Sequence, residues 1–557
     1  MLRHLSRGRS GRQNKSHEQP QITGDLQVLL DRIVEESGHS PDIVVRHLKL
    51  GGDVQAPVKA AVVYLNALSN QQMINNFVIK PLMGLDQEKV KSYPTDRLMK
   101  YILEDALSLG ETSVVKEWND IMLAVLSGDT VLLVEGSDQG IVTGTAGGEW
   151  RAVNEPTSQL VVRGPKDSFV ESIATNISLI RRRIKSPNLW LESMKIGSVT
   201  HTHVAIMYLK GSADPALVEE IRQRLKGIRI DGILESAYIE EFIQDKTVTP
   251  FPTVFNTERP DVAAGNLLEG RVVILVDGTP YTLILPTVFA QFMQSPEDYA
   301  QRFDISILMR IIRYICFVIL LLGPAVYVAL TTFHYEMIPT LLLVSLMAQR
   351  EGVPFPAFVE AVIMEVVFEI LREAGVRMPR AIGQTVSIVG ALILGQAVVE
   401  AGVITPIMVI VVALTGIASF ALPSYNLSIA GRLFRFYFLV LAGLFGFYGI
   451  TLGLIMLIAH MNSIRSFGVP YLSPFSPFVP QAQKDAILRL PIWLHGWKPL
   501  MSSSQRDMKK TKEIKPLASG ESGESGEGQA DSEEGPNSTE QGNHESTPRR
   551  QADSNEK

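Results

Sequence analysis

Cysteine is almost missing from this chain: Cys316 is the single one in 557 residues. No disulfide can form within the chain, so an oxidising compartment is not implied. Behind Arg3, Arg7, Arg9, Arg12 and Lys15 no apolar run follows, so the amino end is not a secretory signal. Residues 1–24 read as a disordered basic tail rather than a nucleic-acid-binding arm. The glycine-rich residues 140–148 are followed by no Lys-Ser or Lys-Thr, which a phosphate-binding loop requires, and read as a turn between strands. His201 and His203, placed on one face of a strand, have neither a cysteine nor a third ligand close in sequence, so an ordinary strand face is the better reading. No Ser-His-Asp grouping follows from spacing. The expectation is a non-enzyme without metal or cofactor. Charge of one sign is also lacking: a net charge of −6 singles out no class of partner.

What is present is apolar sequence in long runs. A helix needs about 20 apolar residues to cross the hydrocarbon layer, and residues 311–331, 382–401, 405–423 and 433–459 each qualify. Arg302, Arg310 and Arg313 precede the first run, whereas residues 333–336 beyond it contain no Lys or Arg. The positive-inside rule then places the preceding region in the cytoplasm. Arg465, Lys484, Arg489, Lys498, Lys509 and Lys510 suggest the same side for the carboxyl end. The four crossings make an even number, provided residues 336–380 do not add one.

The predicted fold is an α+β cytoplasmic N-terminal region followed by an all-α polytopic membrane domain and a disordered C-terminal tail. Residues 25–155 form one α+β subdomain, and residues 156–300 a second that ends in a membrane-proximal hairpin. Residues 301–465 form the transmembrane domain, 466–515 a membrane-proximal cytoplasmic segment, and 516–557 a Ser/Gly/Glu-rich tail too polar to fold alone. Strands are expected at 59–66, 130–134, 158–162 and 198–209. Helices are expected at 95–109 with Thr95 as N-cap, at 167–184, at 214–225 with Asp214 as N-cap and Pro215 at its first position, and at 238–242. Asp277-Gly278 favours a hairpin between 271–276 and 281–285, and Ser295-Pro296-Glu297-Asp298 a helix start. Arg181, Arg182 and Arg183 read as a solvated helix end. No internal sequence repeat is visible.

Residues 336–380 are the most unusual part. An apolar stretch at 337–348 is too short to span, Gly352 to Pro356 breaks it, and a helical pattern follows at 358–373. At about 100° per residue, Glu365, Glu369, Arg372 and Glu373 share a face with Phe358 and Val362. Two readings stand on pattern alone. The helix lies flat at the interface with its charges in water, or copies around an axis stack acidic rings beneath an apolar constriction that gates by dewetting. Gln384 and Gln396 are expected to hydrogen-bond between helices, the glycines from Gly390 to Gly453 to allow close helix packing, and residues 424–428 to form a polar link.

Several motifs resemble those of the GerA-type spore germination receptor A subunits. They are Arg163-Gly-Pro-Lys-Asp-Ser-Phe-Val-Glu-Ser172, residues 176–184, Glu258-Arg-Pro-Asp261, Pro354-Phe-Pro-Ala357, Arg377-Met-Pro-Arg-Ala-Ile-Gly-Gln384, Ala421-Leu-Pro-Ser-Tyr-Asn-Leu427 and Tyr471-Leu-Ser-Pro-Phe-Ser476. The resemblance covers residues 25–491; the acidic tail lies outside it. It implies a multi-pass protein of the endospore inner membrane with its N-terminal domain in the cytoplasm. It also implies work with a transporter-like B subunit that binds the germinant and a lipoprotein C subunit, and assembly of copies as an oligomeric ring, a pentamer, around a nutrient-gated cation channel. The resemblance favours the pore reading. Phe358 and Val362 are then the expected gate, and Glu365, Glu369 and Glu373 the expected lining. A non-conducting scaffold that relays the signal from the B subunit, or a partner of dipicolinate release, are the alternatives.

Overall fold

The computed structural model describes residues 22, 24–51, 57–147, 155–245, 248–377, 395–480 and 483–491. The apolar run 382–401 and Gln384 lie largely or wholly outside them, as do both tails.

The N-terminal region contains two five-stranded sheets. The first is built from β1 (Ile43–Leu50), β2 (Val58–Leu65), β3 (Thr112–Val115), β4 (Thr130–Val134) and β5 (Gly140–Thr143), in the order β1-β2-β4-β5-β3. The second is built from β6 (Leu189–Ile196), β7 (Thr202–Leu209), β8 (Phe255–Thr257), β9 (Val272–Val276) and β10 (Thr282–Leu285), in the order β6-β7-β9-β10-β8. Every pairing is antiparallel. The two sheets therefore share one topology, a repeat of structure that the sequence does not display. The helices recur in step: α1 (Leu26–Glu36) and α2 (Trp118–Ser127) in the first unit answer α3 (Ile173–Arg183) and the later α6 (Pro260–Leu268) in the second. Between β7 and β8 lie α4 (Pro215–Gly227) and α5 (Ser236–Ile243).

Helices cover both faces of each sheet, which explains why central strands are apolar throughout rather than alternating. Thr-Val-Leu-Leu-Val in β4 and Val-Val-Ile-Leu-Val in β9 are buried at every position. Asp214 caps α4 by accepting from the Ala216 N–H at 3.0 Å, with Pro215 behind it. The hairpin about Asp277-Gly278 forms as expected, with Gly278 at φ 91°.

Other expectations are corrected. Residues 158–162 are not a strand; they form an irregular segment bound to Glu258, whose carboxylate accepts from Ser158 N and Oγ and from Gln159 N. Burial alone would raise the Glu258 pKa, but these donors outweigh it and hold the carboxyl below the usual range. Helix α3 starts at Ile173, because Asp167 is drawn away to clasp Arg183 at 2.6 Å. Thr95 is the first helical residue after Pro94 and caps nothing. Residues 140–143 are strand β5, and His201 sits in the turn before β7 at φ 46°, off the strand that carries His203.

Arg181 is not a solvated helix end. It is buried and reaches Asp42 with two nitrogens, at 3.0 and 3.1 Å, and donates to the Leu189 carbonyl at 2.6 Å. Beside this pair Leu191 N donates to Ser40 Oγ, and the Trp190 ring lies over Gly38, where a Cβ would stand 2.0 Å from it. The two units are locked here. Asp42→Ala, which strands a buried guanidinium, is expected to cost about 3–5 kcal/mol. Hydrogen exchange should show it as loss of protection in residues 37–42 and 189–191 of the purified chain.

The helical part begins with α7 (Phe303–Thr332), after a short turn of helix at Glu297–Ala300. Then come α8 (Thr340–Arg350), α9 (Ala357–Arg377) and α10 (Pro406–Phe420). The apolar run 433–459 is not one crossing. It lies inside Tyr425–Ser463, which folds back at Gly446 (φ 60°, ψ −140°), a conformation open to glycine alone. The two limbs, α11 (425–445) and α12 (447–463), are antiparallel: Tyr437 Oη is 3.5 Å from Met456 Sδ, and a Cβ on Gly453 would meet Leu441. The polar link shrinks accordingly, since α11 begins at Tyr425 with Ser424 as its N-cap. Phe251 of the second unit stacks on Phe434 (5.0 Å) and lies 6.3 Å from His460, so both ends of the hairpin meet the N-terminal region. Tyr471, buried among Phe251, Phe289 and Phe292, completes this aromatic junction.

Candidate functional site: a charged layer among apolar helices

Helix α9 runs parallel to α10 and antiparallel to α11. At its start Glu360 Oε2 accepts from Thr405 N and Oγ1 at 3.0 Å each; near its end Arg372 Nη2 donates to Ser419 Oγ at 2.5 Å. Small residues set this spacing. Gly443 of α11 lies beneath the Phe358 ring, and Gly416 of α10 beneath the Phe368 ring; an added Cβ would stand 2.6 and 2.3 Å away. The glycines serve close packing, as expected.

Between these anchors five charges converge. Glu365 and Arg435, both with fully buried side chains, pair at 2.6 Å. The same Arg435 nitrogen donates to Glu369 Oε1 at 2.9 Å, and Arg432 Nη1 donates to Glu369 Oε2 at 2.8 Å. Arg372 approaches Glu369 at 3.7 Å, its guanidinium flanked by the Phe368 and Phe420 rings. Three arginines thus surround two carboxylates. Burying an unpaired ion costs several kcal/mol, and here each carboxylate lies against at least one guanidinium.

Of the residues expected on one face of α9, Phe358, Val362, Glu365, Glu369 and Arg372 are turned toward α10 and α11 of the same chain. Phe358 and Val362 are half-buried in the cluster with Ala361, Met408 and Leu439. Glu365 and Glu369 meet on Arg435. Glu373 stands apart, largely exposed and paired with Arg377 at 2.6 Å. Exposure falls on the flank beside Glu373, at Val366 (44%) and Ile370 (62%). Sequence reasoning missed Arg432 and Arg435, although two arginines three apart at the head of an apolar run were a visible signal. It also passed over Glu360, which is fully buried and 3.3 Å from Arg350. Gln396 bonds along its own helix, to Glu400 at 2.8 Å, rather than between helices. Among the described residues no three His, Cys, Asp or Glu side chains gather as a metal ion would need.

Residues 31–501 match the family model described as Bacillus/Clostridium GerA spore germination protein. The chain is 50% identical over 482 residues to spore germination protein KA of Bacillus subtilis, covering 86% of this chain and 87% of that one. It is 40% identical over 480 residues to the uncharacterized membrane protein YfkQ of Bacillus subtilis, covering 86% and 91%. Among solved structures, the N-terminal domain of the A subunit of the Bacillus megaterium spore germinant receptor GerK3 is 43% identical. It covers 48% of this chain and 98% of that one, with a TM-score of 0.39.

Proposed function

This chain belongs to the GerA spore germination family, and from that premise we propose that it is the A subunit of a germinant receptor whose copies assemble as an oligomeric, nutrient-gated cation channel. Phe303–Thr332 is long and apolar enough to cross a membrane, and the α11–α12 hairpin adds two antiparallel apolar limbs. The protein sits in the endospore inner membrane with its N-terminal region in the cytoplasm. A transporter-like B subunit supplies the nutrient signal, and a lipoprotein C subunit lies on the outer face.

The observation that carries this reading is the charged layer of α9 and α11. Ionisable groups at membrane depth are expensive and mark ion pathways or proton relays. In this protomer the carboxylates of Glu365 and Glu369 are neutralised by Arg432 and Arg435, which fits a resting state. Conduction requires the pairing to loosen, so that Glu365, Glu369 and Glu373 face the permeating cation beneath an apolar constriction at Phe358 and Val362. Nutrient shifts this equilibrium only through unequal affinity of the receptor for the two states.

Potassium release from spores tests it. Val362→Ala is expected to give release without nutrient, and Glu365→Gln to suppress nutrient-driven release. Normal, nutrient-dependent release from both variants sinks the pore assignment. The second reading, a non-conducting scaffold that relays the signal, gains from the inward turn of the acidic face. It predicts no conductance from the purified oligomer in any variant.

A further inference from the structure

Strand β6 is an edge of the second sheet. Leu191 N–H points away from β7, to Ser40 Oγ. Amides alternate along a strand, so Ser193 and Lys195 direct their N–H and C=O groups outward as well. The first half of this edge is covered by the 37–42 turn; at Ser193 and Lys195, both exposed, no bond covers it among the described residues. An uncovered edge is a template for an added strand.

A cleft of about 710 Å³ runs along this same open half, between residues 194–198, at and just beyond the end of β6, and residues 225–231, at and beyond the end of α4. The Lys195 side chain alternates to the other face of the strand, while Lys226 and Arg229 stand along the cleft, both exposed and neither in a salt bridge among the described residues. The one carboxylate lining it, Asp231, accepts a hydrogen bond from Ser198 Oγ at 2.8 Å. Two exposed cations, Lys226 and Arg229, beside unpaired backbone groups fit a ligand that is both extended and acidic.

We propose that the Ser193–Gly197 edge of β6 binds an extended acidic segment of a partner protein as an added strand. Its backbone pairs with Ser193 and Lys195. Acidic side chains at every second position fall on one face of that strand, where Lys226 and Arg229 meet them. Main-chain pairing supplies affinity, and the cations supply specificity.

The test uses the full chain in neutral detergent and a fluorescent heptapeptide alternating Glu and Val. The expected result is saturable binding of this peptide and none of its Lys/Val counterpart. The paired variant Lys226→Glu with Arg229→Glu should weaken binding by about tenfold or more, because like charges then face one another. A peptide of the same sequence N-methylated at every residue, which leaves neither edge an N–H donor, should bind as weakly without altering the protein. Equal binding of the methylated and unmethylated peptides overturns strand addition. Phosphatidylglycerol vesicles that bind the cleft with the same Lys226/Arg229 dependence, while the peptide does not bind, would reassign it to anionic lipid.

Discussion

Arg435→Gln is expected to be the most damaging single change in the helical region, at about 3–5 kcal/mol, because it leaves Glu365 buried without its countercharge. The Arg435 guanidinium is the only group within 4 Å of Glu365 that carries positive charge among the described residues, and it also serves Glu369. Glu369 keeps Arg432 at 2.8 Å and so is only half deprived. The single variant should therefore lower the thermal midpoint of the detergent-solubilised chain, and spores carrying it should leak potassium without nutrient. Adding Glu365→Gln removes the stranded charge together with its partner. The double variant is then expected to melt above Arg435→Gln alone, since replacing both members of a buried pair costs far less than breaking it. A double variant no more stable than the single one would mean that the two residues do not interact.

Gly446→Val ranks second. The conformation at φ 60°, ψ −140° is closed to a β-branched residue, with a strain of about 1–3 kcal/mol, and the added carbons have no room. A Cβ there would stand 2.8 Å from His334 Cε1 and 3.0 Å from Phe333, at the end of α7. The hairpin of α11 and α12 is expected to open or shift. In a background of Cys316→Ala, Tyr437→Cys and Met456→Cys, which places two thiols across the hairpin, a short bifunctional thiol reagent should link the limbs within one chain. Adding Gly446→Val should abolish that link. Undiminished cross-linking would show that Tyr437 and Met456 meet without the bend at Gly446.

Local chemistry was legible wherever the deciding residues are neighbours in the chain. Asp214-Pro215 names its own helix start, and Asp277-Gly278 its own turn. The spacing of Phe358, Val362, Glu365, Glu369 and Arg372 puts them on one face whatever surrounds them. Apolar runs declared their helices as well, although not where one folds back: positive φ at Gly446 is one option for any glycine, and only the packing of Phe333 and His334 against it selects that option.

Which way the charged face of α9 turns was decided by tertiary structure. Arg435 lies 66 residues from Glu369 in sequence, and Asp42 lies 139 from Arg181. No periodicity carries information across such separations, because burial and charge compensation are properties of what is packed alongside. The same holds for the repeated β6-β7-β9-β10-β8 order: two sheets share a topology when their hydrogen-bond ladders agree, and many sequences satisfy one ladder. The sequence by itself determined the helix start at Asp214-Pro215, the turn at Asp277-Gly278, the acidic helix and the family. The tertiary structure alone decided the partners of each buried charge, since a carboxylate among apolar helices is stable only where a cation is brought to it.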